Sequence, residues 1–173
     1  MAKDDQLQFR IQRPSAPLPS RSDFDPFDGD LDAQCAWRNF GGLSLRQAYD
    51  LFLTNPHCYQ EDFMFMGGQA FDYSFPVVDL YMRELTGSDG EDDCMVAILG
   101  SGVAAQFNWN GAHPSPSLIS EIEDLSEYVL AHTDQYSPSG KDQRRIKRKW
   151  DHVNELIAEY KSKGEKAASK KSN

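Results

Sequence analysis

The chain has 173 residues, 39% of them apolar, which is enough for one domain with a substantial core plus loosely held ends. Its net charge of −9 is split unevenly: residues 141–173 hold 11 Lys and Arg against 5 Asp and Glu, and residues 1–140 hold 7 against 22. This excludes a uniformly basic nucleic-acid binder, and three widely spaced cysteines (35, 58, 94) exclude a disulfide framework and fit reduced thiols in a cytoplasmic protein.

The start, Met1 to Gln6, has no apolar run, so no secretory signal is expected. The longest apolar run, from Cys94 to Ala105, is too short to span a bilayer, and no membrane partner is expected.

Residues 1–34 read as a flexible arm. Pro14, Pro17, Pro19 and Pro26 each remove a backbone donor, and the acids from Asp23 to Asp32 repel one another. Reading Asp28, Asp30 and Asp32 as the start of a calcium loop fails twice. Ala33 stands where the turn glycine belongs, and Asn39 where the bidentate Glu belongs.

The first clear helix starts at Ser44, whose hydroxyl with Gln47 forms a capping box ahead of Leu45, Ala48, Tyr49 and Phe52. Asn55 and Pro56 end it and predict a second helix reaching about Met66, stopped by Gly67 and Gly68. Residues 69–86 predict a third helix, kinked or restarted at Pro76. Seven of the 20 aromatics lie between Tyr59 and Tyr81, so the core is expected to form there. A turn at 87–90 follows, with acids at 91–93 suited to the start of the next helix.

Cys94 to Phe107 is apolar or small nearly all round, the pattern of a helix packed on several sides. After the breakers between Asn108 and Pro114, Leu118, Ile122, Leu125 and Val129 mark an amphipathic helix. Ile146, Trp150, Val153, Ile157 and Tyr160 mark a second, with a narrow seam suited to one partner. The short link from Tyr136 to Gly140 predicts an antiparallel hairpin of these two. Residues 164–173 read as a disordered, lysine-rich tail.

The expected fold is therefore all-α: an irregular bundle of five to seven helices around a central apolar helix at about 92–107. A single helical domain spans 35–163, with the arm before it and the tail after it.

Three motifs bear on function. Gly100-Ser101-Gly102-Val103-Ala104-Ala105 matches a dinucleotide fingerprint, but Asn108 to Pro116 break the chain before the long helix and second strand it requires. His57, Cys58, Glu61 and Asp62 would share a helical face, as a metal or thiol site needs, with no base beside them. Glu61 and Asp62 sit among aromatics, where burial demands partners, and Arg83 or Arg38 are the expected ones. Finally, Lys141, Arg144, Arg145, Lys147, Arg148 and Lys149 form a basic stretch. It either complements the acidic body or contacts a polyanion.

No catalytic constellation, cofactor site or metal site is legible. The expected function is a non-enzymatic protein-binding module (adaptor, regulator or inhibitor) whose acidic surface meets a basic protein. The first alternative is nucleic-acid association through residues 141–150, and the second is an enzyme or ligand binder using Gly100–Ala105 or His57–Asp62. The candidate interaction residues are Glu61, Asp62, Arg144, Arg145, Arg148 and Lys149.

Overall fold

A computed structural model describes residues 9–13, 16–85, 93–108 and 114–171, with the side chains of 93, 94 and those beyond 164 left aside. The turn expected at 87–90, the acids at 91 and 92, His113 and the tail lysines' side chains lie outside that description. The described residues are all-helical. Six helices of ten or more residues are α2 (Leu31–Phe40), α3 (Leu45–Thr54), α6 (Gly68–Glu84), α7 (Asp93–Asn108), α8 (Pro116–Ala131) and α10 (Gly140–Lys171). Four single turns join them: α1 (Arg21–Phe24), α4 (Pro56–Tyr59), α5 (Asp62–Phe65) and α9 (Thr133–Tyr136). None of the described helices is long and apolar enough to cross a membrane.

The helix starts follow local chemistry. Ser44 Oγ accepts from the Gln47 N–H at 3.3 Å, and Gln47 Oε1 accepts from the Ser44 N–H at 2.9 Å. Asn55 caps α4 through the Cys58 N–H, and Ser115 caps α8 through the Leu118 N–H. The single helix expected from Asn55 to Met66 is instead two separate turns, α4 and α5. Gln60 and Glu61 break it, and the break turns Asp62 and Phe63 into the protein while Cys58 stays at the surface.

The centre of the fold is α7. Met95, Leu99 and Val103 are buried on one side of it and Ala97 and Ala104 on the opposite side. Its glycines act where neighbours come close. A Cβ on Gly100 would lie 2.9 Å from Trp150 Nε1, and one on Gly102 would lie 3.5 Å from the Met64 backbone nitrogen. The fingerprint-like run is thus interior to one helix, with Gly100 making room for the Trp150 indole. Trp150 Nε1–H donates to the Val96 carbonyl at 3.1 Å. Gln106, from the same helix, donates through its amide to the carbonyls of Phe63 and Met66, which the short α5 leaves without intrahelical donors.

The seam of α10 differs from the expected hairpin in one respect. Trp150 meets Val96 and Tyr160 meets Phe107, so α10 runs parallel to α7 along its length. Far along α10, Lys161 pairs with Glu123 at 2.6 Å and the Tyr160 hydroxyl reaches the Pro114 carbonyl just before α8, while α10 starts soon after α8 ends, so the two run antiparallel. The narrow stripe is therefore shared between two helices, with Trp150 on α7 and Tyr160 reaching toward both. The backbone of α10 is helical through Gly164 to Lys171.

Part of the expected arm is built into the domain. Ile11 and Phe24 are buried, α2 begins at Leu31, and Asp30 caps it by accepting from the Asp32 and Ala33 N–H groups. The Gly67 N–H donates to the Phe24 carbonyl at 2.9 Å, an approach that a side chain on Gly67 would block by striking the Asp23 carbonyl. The clustered acids serve local turns: Asp30 caps α2, and Asp25 accepts from the Gly29 N–H at 2.8 Å, which lowers its carboxyl pKa.

Gly100→Ala is expected to destabilise the fold by roughly 1–3 kcal/mol, because the added methyl overpacks the Trp150 contact. Gly164→Ala meets no atom within 4 Å and is expected to stabilise by about 0.5–1 kcal/mol through helix propensity. Urea unfolding of both variants, followed by circular dichroism, checks the contrast.

Candidate functional site

The site begins with a conflict inside α6. Val77, Val78, Leu80 and Tyr81 are buried, and Asp79 among them is 1% exposed. A carboxylate so placed needs charged donors. One comes from the next turn of its own helix: Arg83 Nε lies 2.9 Å from Asp79 Oδ1. The other comes from 69 residues away, where Arg10 grips both Asp79 oxygens at 3.0 and 3.3 Å. The hydrogen bond to Asp79 raises the Arg10 pKa against the opposing effect of its burial. Both arginines also reach Asp124 on α8, at 3.0 Å from Arg10 and 2.6 Å from Arg83. The Arg83 guanidinium lies 4.6 Å from the centre of the Tyr128 ring, in cation–π contact.

A second node lies two turns earlier on α6. Pro76 has no N–H, so the carbonyl of Asp72, four residues before it, has no intrahelical donor. Arg13 fills that place, with one nitrogen 3.4 Å from the Asp72 carbonyl and 3.1 Å from its carboxylate. Its fork also grips both oxygens of Glu121 on α8, at 3.0 and 2.6 Å. Burial opposes the Arg13 charge, but Glu121 and Asp72 outweigh it and raise its pKa. α6 thus continues through Pro76 as one helix instead of restarting there.

Residues 9–13 therefore lie in a groove between α6 and α8, with Ile11 buried between the two arginines. Phe9 continues the contact with its ring edge-on to Tyr49 of α3, centroids 5.9 Å apart. Beyond Arg13 the groove opens into a cleft of about 480 Å³ bordered by Pro17, Leu18, Asp72, Tyr73, Ser117 and Glu121.

The residues expected to matter are dispersed. Glu61 is exposed, and the buried Asp62 accepts from the Asn39 amide at 2.7 Å, so neither Arg83 nor Arg38 is its partner. Arg83 is committed to Asp79, and Arg38 is exposed on α2. His57 and Cys58 face solvent while Asp62 faces inward, so the four residues share no site. Burial, with Asn39 as the only opposing hydrogen bond, raises the Asp62 pKa. On α10, Arg144, Arg145 and Arg148 are exposed and Lys149 is half-buried, and among the described residues none of the four has an ion-pair partner. Lys147 pairs with Asp151 on its own helix. The basic stretch therefore does not fold onto the acidic groove.

Sequence reasoning missed Asp79, Arg10 and Arg13. The signal was present: an acid in the middle of Val77-Val78-Asp79-Leu80-Tyr81 cannot be left unpartnered. No protein family, curated protein or solved structure matches this chain.

Asp79→Asn is expected to cost about 1–3 kcal/mol, since it removes the buried charge facing two guanidiniums and turns one acceptor oxygen into a donor. Arg10→Ala is expected to cost only about 0–1 kcal/mol, because that side chain is 45% exposed. Equilibrium unfolding in guanidinium chloride separates the two. Asp62 titrates higher in the folded chain than in the unfolded one, so its contribution to stability is present at low pH and lost as pH rises through the folded pKa. Asp62→Asn is accordingly expected to raise the melting temperature at neutral pH, with the gain shrinking toward acid pH in a calorimetric series.

Proposed function

We propose that the protein is a non-enzymatic binding module whose acidic surface recognises an arginine-bearing protein. The observation that carries this reading is the α6–α8 groove. Asp72, Asp79, Glu121 and Asp124 converge there on Arg10, Arg13 and Arg83. Bidentate carboxylate–guanidinium contacts are directional and select arginine over lysine. A surface of this kind steers and registers a basic partner. The free thiols of Cys35 and the exposed Cys58 fit a reducing compartment such as the cytoplasm.

A second reading is favoured by a separate observation. Arg144, Arg145, Arg148 and Lys149 present charge on one helix without ion-pair partners among the described residues. Such a stretch suits phosphates without base specificity, so nucleic-acid association through 141–150 is the alternative.

Capture from native extract separates the two. The bait is the full chain and its Arg144→Glu/Arg145→Glu/Arg148→Glu/Lys149→Glu variant, at about 50 mM and about 300 mM salt, which changes the screening length more than twofold. A protein retained by both baits and lost at the higher salt is the expected result. Nucleic acid retained by the unaltered chain and lost from the variant would replace the first reading with the second.

A further inference from the structure

We infer that the α6–α8 groove is a docking site for a non-helical peptide segment with two arginines three residues apart, and that residues 9–13 occupy it as an intramolecular substitute. This rests on the reading of the protein as a binding module and names where and what it binds.

The groove's charge is the first argument. Two of the three guanidiniums that balance its four carboxylates come from the arm, so with the arm away four acids face Arg83 alone. The second is register. Asp72 and Asp79, seven residues apart on a helix, lie about 10.5 Å apart along its axis, and a non-helical chain spans up to about 10 Å over three residues. Arg-x-x-Arg therefore matches this pair of acids, and Ile11 shows that an aliphatic residue after the first arginine is accepted between them. The third is the Asp72 carbonyl, left without a donor by Pro76. It is a fixed acceptor, independent of side-chain charge, that an incoming arginine must satisfy as Arg13 does.

The arm is suited to release. Arg10 is half-exposed, Gln12 is exposed, and one side chain, Ile11, is fully buried between residues 9 and 13. Segments held by few buried apolar contacts open at low cost. An external segment must still displace a tethered competitor of high effective concentration, so the closed arm lowers the apparent affinity by the fraction of groove left open.

The test uses the full chain and a fluorescent peptide carrying residues 7–16, with a control peptide in which both arginines are glutamates. In the Arg10→Glu/Arg13→Glu protein the arm is repelled from the groove. The peptide is expected to bind this variant at least about tenfold more tightly than it binds the unaltered chain, and the control peptide is expected not to bind. Circular dichroism establishes that the variant is folded. If it is not, the unaltered chain carries the test: excess peptide should accelerate amide exchange of residues 9–13 and leave α7 protected. Peptide binding with no gain in the folded variant, or with no change in exchange at 9–13, would place the peptide elsewhere and overturn the inference. So would a folded variant that binds no peptide. If salt-sensitive protein capture persists in that case, the wider acidic-surface reading stands and only the groove is lost.

Discussion

One buried carboxylate organises the acidic half of this protein. Asp79 sits in the most apolar stretch of α6, and two guanidiniums meet its charge there. Arg83 belongs to the same helix and is always near. Arg10 is brought from the other end of the domain, and its coming draws Phe9, Ile11 and Arg13 along α6 and α8. Asp124 then joins α8 to the same pair of arginines. A single polar demand inside α6 thus positions the chain's first described segment and one neighbouring helix.

The other half is organised by close packing. α7 has no solvent face to spare, so it must be covered from several directions. α10 covers it along one side, with Trp150 seated on Gly100 and hydrogen-bonded to Val96. α5 covers it near Gly102, and Gln106 returns the contact by satisfying the carbonyls of α5. The glycines that resemble a phosphate-binding fingerprint are spaces for neighbouring helices.

These two halves keep the charges apart. The groove carboxylates Asp72, Asp79, Glu121 and Asp124 are met by arginines from the arm and from α6, not by the basic stretch of α10. The outward face of α10 keeps Arg144, Arg145 and Arg148 in water. The chain therefore offers two surfaces of opposite sign, one already filled by its own segment and the other open. The occupant of the filled surface shows which side chains the groove accepts and at what spacing.

Periodicity and caps sufficed for the helices themselves: Ser44, Asn55 and Ser115 mark starts that local hydrogen bonding enforces, and the nearly all-round apolar pattern of Cys94 to Phe107 placed α7 at the centre. They did not suffice where a distant group overrides a local signal. Proline spacing and clustered acids read as a loose arm, yet Ile11 and Phe24 find burial sites that only the assembled helices create. Pro76 reads as a break, yet α6 passes through it, with Arg13 supplying a donor to the carbonyl that the proline frees. Glu61 and Asp62 look alike in sequence, and a turn at Gln60 and Glu61 sends one to water and the other inward. The sequence by itself determined an α-helical chain with a buried central helix and segregated charge, because these are properties of spacing within single elements. Which acid meets which arginine was decided by tertiary structure, since Arg10 and Asp79 become neighbours only after the helices have packed.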